Sequence, residues 1–253
     1  RNLSGAINTG IEYLLNRGWI PEETYITILD DDDEWEPTYL QKCHEKAINK
    51  GLDQVVAGII RHTSKTESEQ LEIPTEINSD IFLTRNPHIQ GSNLFVKFSK
   101  ILEAGAYDER LQSTTDRDIC FRLFELDLKY DVINEHLVHH WALEDQNRLS
   151  DPSSPKKSSG LNAFYHKYSP IMSETQRTLF IDRAEQLFNT TIENQKDPKS
   201  HKNKLQEKPS KYFPIIIGFY ATNLDTSEHL LKDIKSLLHN YPTQSQVVIC
   251  DNS

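Results

Sequence analysis

The sequence predicts an α/β fold with a mainly parallel sheet and helices on both faces. Three observations support this prediction. Helix and strand patterns alternate through the first 60 residues, the first apolar strand pattern ends in four consecutive aspartates, and a strand–helix–strand pattern starts again near residue 214.

The spacing of apolar residues places the first elements. Leucines and isoleucines recur at helical intervals before Gly18, and short β-rich runs alternate with a proline-initiated helix. The pattern predicts a helix over Leu3–Asn16, a strand over Tyr25–Leu29, a helix from Pro37 to Gly51 and a strand over Gln54–Ile60.

The middle of the chain gives weaker patterns. The prediction here is a short helix over Asp80–Asn86, a strand over Ser92–Val96, a helix over Ile119–Leu128, a strand over Tyr130–Val138 and a helix over Glu174–Asn189. Polar and turn residues dominate Trp141–Gly160, which predicts a mobile loop.

Composition divides the chain into two units. Residues 1–190 form the first unit, and 191–211 are a lysine-rich linker whose near lack of aliphatic residues prevents it from forming a core. Residues 212–253 give the opening strand, helix and strand of another α/β unit.

Charge and cysteine content limit the class of protein. A net charge of −10 argues against nucleic acid as a partner, because phosphate contacts need a clustered basic face. Three cysteines without paired spacing predict free thiols, and no apolar run reaches the roughly 18 residues of a transmembrane span. We therefore expect a cytoplasmic protein without a transmembrane segment.

The acidic run Asp30–Glu34 is the sharpest chemical feature. Alternate residues of an extended segment point the same way, so Asp30 and Asp32 can share one target. Their hard oxygens suit Mg²⁺ or Mn²⁺, which neutralises charge on a diphosphate leaving group. The alternative is a set of solvated acids favoured by the start of the next helix.

A second feature is the segment Thr114–Leu123, in which Asp116 lies in the first turn of the predicted helix. One interpretation is that Asp116 caps this helix. The other is a general base that takes the proton of an acceptor hydroxyl. The segment alone leaves both open.

Taken together, these motifs resemble family-two glycosyltransferases. Leu29–Pro37 resembles the family's L-D-x-D-D metal motif with its following proline. The stretches 91–93, 103–109 and 115–119 resemble its acceptor side, and residues 2–10 resemble its Ala-Arg-Asn-x-Gly helix, with Ile7 in place of the arginine and Thr115 in place of a glutamate.

The resemblance implies an A-type glycosyltransferase fold, Rossmann-like, and an inverting transfer of sugar from a nucleotide-sugar donor. It implies that Asp116 is the base, that Asp32 binds Mn²⁺ or Mg²⁺, and that Asp30 binds the metal or the donor. Asn8 belongs to the donor side. The acceptor side is given by Asp118, Gly91 and Trp35.

Further donor contacts are expected outside these motifs. His140 is a candidate third metal ligand, and Arg148 is a candidate for closing over the diphosphate. Tyr220 and Asp251 resemble the family's nucleoside-binding residues, which normally precede the metal motif. Either the chain joins parts of two tandem domains, which we favour because both ends fall inside motifs, or its order is permuted.

The sequence thus predicts a metal-dependent hexosyltransferase, active in bacterial-type surface polysaccharide synthesis. Its expected partners are a nucleotide sugar, with UDP as the family-level choice, and a glycan or glycoconjugate acceptor. One rival is a nucleotidyltransferase, which predicts a glycine- and arginine-rich phosphate loop that is not visible near the first strand. The other is a degenerate domain that binds sugars or partners without turnover.

Overall fold

The computed structural model of the protein describes residues 2–143 and 154–192, together with the backbone of two further strands. The helices are α1 (Leu3–Asn16), α2 (Tyr39–Lys50), α3 (Ser79–Thr84), α4 (Phe98–Glu103), α5 (Thr115–Phe124), α6 (Pro155–Tyr168) and α7 (Glu174–Phe188). The strands are β1 (Tyr25–Asp30), β2 (Asp33–Trp35), β3 (Gln54–His62), β4 (Ser68–Gln70), β5 (Leu94–Lys97), β6 (Tyr130–Trp141), β7 (Ile215–Tyr220) and β8 (Ser245–Ile249).

These strands form one sheet in the order β2–β6–β3–β5–β1–β7–β8, with β4 paired to β3. The sheet is mixed, which corrects the mainly parallel arrangement expected from the sequence. Strand β5 runs antiparallel to both of its neighbours, β1 and β3, whereas β1 pairs with β7, β3 with β6 and β7 with β8 in parallel.

Two apolar layers cover the two faces of the sheet, because alternate side chains of a strand point to opposite faces. In β1, Ile26 and Ile28 face the larger core, to which α1 and α3–α7 contribute. Tyr25 and Leu29 face the smaller core, which α2 fills. The prediction of an α/β fold with helices on both faces is confirmed.

Local chemistry explains where these helices begin and end. The side chain of Asn2 accepts a hydrogen bond from the Gly5 N–H and so caps α1. Helix α2 ends at Gly51, whose φ of 61° is left-handed and therefore favours glycine. Among the described residues, no helix combines the length and apolar character that a membrane crossing requires.

The prediction of a mobile loop over Trp141–Gly160 is wrong from Pro155 onward, where the structure has a helix. Helix α6 begins at Pro155, because a proline in the first turn of a helix needs no N–H partner. Residues 144–153 lie outside the described part of the chain.

Strand β7 pairs with β1 over six residues, from Tyr25 with Ile215 to Asp30 with Tyr220. This pairing places β7, and through it β8, in the sheet of the first unit. That arrangement corresponds to the permuted alternative.

Candidate active site

The carboxyl end of β1 forms an acidic turn. Asp30 is the last residue of β1 and Asp33 the first of β2, so Asp31 and Asp32 make the turn between them. Because β5 runs antiparallel to β1, the 3-10 turn Gly91–Asn93 that precedes β5 lies at the same edge of the sheet. There the Asp30 N–H donates to the Ser92 hydroxyl at 3.2 Å.

Asp116 faces this turn from the other side. It lies in the first turn of α5, whose capping position is occupied by Thr114, with a left-handed φ of 63° and no side-chain cap. The carboxylate of Asp116 instead accepts a hydrogen bond from the backbone N–H of Gly91. A Cβ atom on Gly91 would lie 3.6 Å from Asp116 Oδ1, an ordinary van der Waals distance that shows how near the two residues are.

The charges of these carboxylates act on each other. Burial raises the pKa of Asp30 well above its ordinary value, and the charges of Asp33 and Asp116 raise it further. Burial also raises the pKa of Asp116 to about 6, and the charge of Asp33 adds to this effect, while the Gly91 hydrogen bond opposes it. Carboxylates from β1, β2 and α5 therefore lie near one another at this edge of the sheet, which we take as the candidate substrate cleft.

A divalent cation fits this cluster, because positive charge would relieve the repulsion that raises the pKa of Asp30. The donor set consists of hard carboxylate oxygens, which suit Mg²⁺ or Mn²⁺. The described residues hold no preformed group of three or more ligating side chains.

His140 is fixed beside the acidic turn. It lies on β6 directly opposite Asp33 on β2, and its Nδ1 is 2.9 Å from Asp33 Oδ1. The other oxygen of Asp33 accepts a hydrogen bond from the Gln90 amide at 3.0 Å. The side chain of Asp33 is fully buried, whereas that of His140 is 19% exposed.

Trp35 forms a fixed, partly exposed aromatic surface near the same turn. Its ring stacks on Tyr39 with centroids 4.7 Å apart, and its Nε1–H donates to the Ser92 carbonyl at 2.6 Å. A rigid aromatic face is a common platform for a sugar ring.

Asn8, for which a donor contact is predicted, bonds to the loop that follows α4. Its amide donates to the Tyr107 carbonyl at 2.8 Å and to Glu109 Oε1 at 3.0 Å, and its oxygen accepts from the Tyr107 N–H at 3.0 Å. These bonds hold the loop after α4 against α1.

Asp118, for which an acceptor contact is predicted, is buried and bonded to side chains of the protein. Its side chain is only 1% exposed. Oδ1 accepts from Lys167 at 2.5 Å and from Tyr168 at 2.7 Å, and Oδ2 accepts from Arg122 at 2.6 Å. Asp118 therefore joins α5 to α6 inside the protein.

The other three predicted donor residues lie wholly or partly outside the described part of the chain. Arg148 and Asp251 lie outside the described residues. Tyr220 is described by its backbone alone, which pairs in register with Asp30 at the acidic end of β1.

Three residues of the site are additional to those predicted. Asp33 belongs to the acidic run and could have been found there, but its contact with His140 depends on the pairing of two distant strands. No feature of the sequence marks Gln90 as a residue of the site. Lys157 lies within the segment predicted as a loop. Burial and the charge of Arg117 lower its pKa to about 8, although the charge of Asp116 opposes that shift.

Comparison with known proteins finds a family to which part of the chain is similar. Residues 1–122 match the sequence model of the family described as Glycosyl transferase family 2. No curated protein sequence matches the chain.

Several solved structures resemble the chain at a low level. Crystal structures of S. aureus TarS 1-349 in complex with UDP-GlcNAc and without it are both 11% identical to the chain, with TM-scores of 0.43 and 0.42. The matches cover 66% and 64% of this chain and 49% and 47% of those structures, so the chain spans about half of their length. The similarity to glycosyl transferase family 2 covers residues 1–122, which is just under half of the chain.

Proposed function

We propose that the protein is a metal-dependent, inverting glycosyltransferase that moves a sugar from a nucleotide-sugar donor to an acceptor hydroxyl. The observation that carries this proposal is the meeting of Asp30 and Asp116 in one cleft, each from a different element of the family segment. A donor diphosphate at Asp30 and an acceptor hydroxyl at Asp116 would then face each other.

Asp30 and Asp32 would hold Mn²⁺ or Mg²⁺, with His140 as a further ligand. When bound, this cation neutralises negative charge on the leaving diphosphate. The proposal is supported by the raised pKa of Asp30, because carboxylates that repel each other gain from a shared cation. Asp32 lies partly exposed in the turn and can reach a ligand from solvent.

Asp116 would act as the base. The acceptor oxygen attacks the anomeric carbon, its proton passes to the Asp116 carboxylate, and the bond from carbon to the diphosphate oxygen breaks. A single in-line displacement of this kind inverts the anomeric centre. A pKa of about 6 leaves Asp116 ionised at neutral pH but makes it more basic than an ordinary aspartate.

The substrates follow from the family and from the site's surroundings. Trp35 and Gly91 lie beside the cleft and would contact the acceptor, which we propose is a surface glycan or glycoconjugate. The donor is a nucleotide sugar, with a UDP-sugar as the first choice. Cys43 and Cys120 are buried free thiols, which is consistent with synthesis in the cytoplasm.

The test is the variant Asp116→Asn, with UDP-GlcNAc as the donor probe. We expect UDP-GlcNAc and Mn²⁺ to raise the melting temperature of the variant as they do for the unaltered protein. Transfer, or donor hydrolysis when no acceptor is supplied, should fall at least about 100-fold because the base is lost.

The control is Glu12→Gln, which removes an exposed carboxylate on α1 and should change neither readout. Full transfer by Asp116→Asn would refute the base assignment. Donor binding that does not depend on Mn²⁺ would refute the metal assignment, and Mn²⁺-dependent binding without any turnover by the unaltered protein would support the degenerate binding domain instead.

A further inference from the structure

Two cations lie between α6 and α7, beside the start of α5. Arg117 on α5 places its guanidinium carbon 4.3 Å from the ring centroid of Phe164 on α6 and 4.9 Å from that of Phe180 on α7. Lys157 precedes Phe164 by about two turns on the same side of α6. Its Nζ atom lies 4.3 Å from the ring centroid of Phe188, which is also on α7. Aromatic rings of both helices therefore surround the two positive charges.

The guanidinium of Arg117 has an unsatisfied donor. Its Nε–H donates to the Phe82 carbonyl, but Nη2 is buried and has no hydrogen-bond partner among the described residues. The residue is only 8% exposed, and burial and the charge of Arg183 lower its pKa to about 9. Aromatic rings attract the positive charge but offer Nη2 no hydrogen-bond acceptor in the guanidinium plane. A buried donor of this kind is costly unless an acceptor satisfies it.

Lys157 is the second cation, and it lies near the proposed base. Burial and the charge of Arg117 lower its pKa to about 8, and the charge of Asp116 opposes this shift. Within the described part of the chain, no carboxylate forms an ion pair with Lys157 or Arg117. Both remain protonated at neutral pH, so the two positive charges have no close anionic partner there.

The position of Lys157 in α6 also favours an anion. Lys157 is in the first turn of this helix, where the backbone N–H groups create a positive potential. That turn contains no acidic residue, and the side chain of the capping residue Ser154 makes no capping hydrogen bond. The Ser113 hydroxyl donates to the Lys157 carbonyl at 3.4 Å, which holds the turn beside the residues that begin α5.

We propose that Lys157 and the Nη2 group of Arg117 form an anion subsite beside Asp116, and that it binds a phosphate or carboxylate group of the acceptor. Lys157 is partly exposed and would meet the anion from solvent, with Arg117 behind it. Ammonium and guanidinium groups bind such oxygens through charge-assisted hydrogen bonds. The acceptor is the favoured source, because the subsite lies on the Asp116 side of the cleft and not on the acidic turn. The acceptor assignment rests on the proposed function, but the anion subsite does not.

The probe for the subsite is inorganic phosphate, added to the metal-free, donor-free full chain at constant ionic strength. In ¹H–¹⁵N amide spectra at about pH 7, where lysine and arginine are charged, we expect saturable shifts at Lys157 and Arg117. Lys157→Gln should weaken phosphate binding about 10-fold or more, because a hydrogen bond to a charged group is lost. Lys157→Arg keeps the charge and should bind phosphate within about 3-fold of the unaltered protein.

The matched control is Lys156→Gln, which removes the same charge from an exposed residue in the same turn and should leave phosphate binding unchanged. Equal losses in Lys156→Gln and Lys157→Gln would overturn the subsite, because they would show only a diffuse effect of charge. Shifts that do not saturate in the unaltered protein would also overturn it. That measurement stands even if Lys157→Gln does not fold.

A competition measurement identifies the source of the anion. Glucose 6-phosphate or glucuronate should displace phosphate from the subsite, whereas glucose should not, and UDP without metal should leave the phosphate bound. Displacement by UDP would assign the subsite to the donor diphosphate and overturn the acceptor role. Saturable phosphate binding at Lys157 in a protein that transfers and hydrolyses no donor would contradict the proposed function and support the anion subsite alone.

Discussion

Asp116 is the residue at which burial and hydrogen bonding set the chemistry of the cleft. Burial and the charge of Asp33 raise its pKa, and the Gly91 N–H lowers it, with the balance at about 6. In the proposed mechanism the carboxylate form is the active one, since only it can accept the acceptor's proton. Activity should therefore be lost as the pH falls through the pKa of Asp116.

We expect the rate of transfer, or of donor hydrolysis, to rise with pH and to reach its half-maximal value near pH 6 at low Mn²⁺. Saturating Mn²⁺ adds positive charge beside Asp30, which should stabilise the Asp116 carboxylate and move the midpoint to lower pH. A pH–rate series at two Mn²⁺ concentrations measures both effects. A midpoint that rises with Mn²⁺ would contradict this account.

Asp118 differs from Asp116, because its buried carboxylate bonds to side chains that join two helices of the protein. Replacement by asparagine leaves the charges of Lys167 and Arg122 without their buried partner. We expect Asp118→Asn to lower the free energy of unfolding by about 3–5 kcal/mol, measured by urea denaturation.

The matched control for Asp118→Asn is Glu103→Gln. Glu103 pairs with Lys100 at 2.7 Å, but its side chain is 52% exposed. An exposed pair contributes below about 1 kcal/mol, so this variant should be nearly neutral. Equal losses in the two variants would mean that the buried network does not hold α6 to α5.

At the scale of elements, the sequence predicts what is local and misses what depends on pairing. The apolar spacing in α1 and α2 predicts both helices, because one face of each is buried. The antiparallel direction of β5 has no such signal, since an apolar strand has the same pattern in either direction. Yet this direction brings the Gly91 turn to the acidic end of β1.

Helix α6 shows how turn-forming residues mislead. Pro155 and Gly160 predict a loop, but Pro155 begins the helix and Gly160 allows it to pack closely on the segment before α5. A Cβ atom on Gly160 would contact the Ser113 hydroxyl and lie 2.7 Å from the Ser113 nitrogen and 2.8 Å from its carbonyl oxygen. Only the packed structure shows this need for glycine.

Gly160→Ala should therefore destabilise the protein, although alanine normally stabilises a helix interior. We expect a loss of about 1–3 kcal/mol, since the clash involves backbone atoms that cannot turn aside. Gly51→Ala is the comparison: no atom lies within 4 Å of the new Cβ, so only its left-handed backbone adds strain, worth about 1 kcal/mol. Thermal unfolding of both variants tests this, and a stabilised Gly160→Ala would contradict the close packing.

At the scale of the whole molecule, the net charge of −10 agrees with a site that attracts an anionic donor through a cation rather than through a basic face. The sequence predicts Asp30, Asp32 and Asp116 as one site because the motifs occur in a family order. It does not predict the contact of Asp33 with His140 or of Gly91 with Asp116, because these depend on how distant strands and helices pack.

The pairing of β7 with β1 also concerns the whole molecule. If β7 and β8 complete the sheet in solution, β1 is a central strand. Removal of β7 would then expose the apolar edge of β1. If these residues instead begin a separate tandem domain, their loss leaves the first unit intact. The two organisations left open by the sequence thus differ in a measurable property.

We expect the chain shortened to residues 1–211 to melt at lower temperature than the full chain and to self-associate, because an unpaired edge of a central strand pairs readily with other chains. Size-exclusion chromatography and thermal unfolding measure this. As a control, a protease site placed within residues 195–208 cuts the chain without removing β7, and the two pieces should stay together and keep the original stability. A monomeric, equally stable 1–211 chain would show that β7 is not needed by β1 and would favour the tandem organisation.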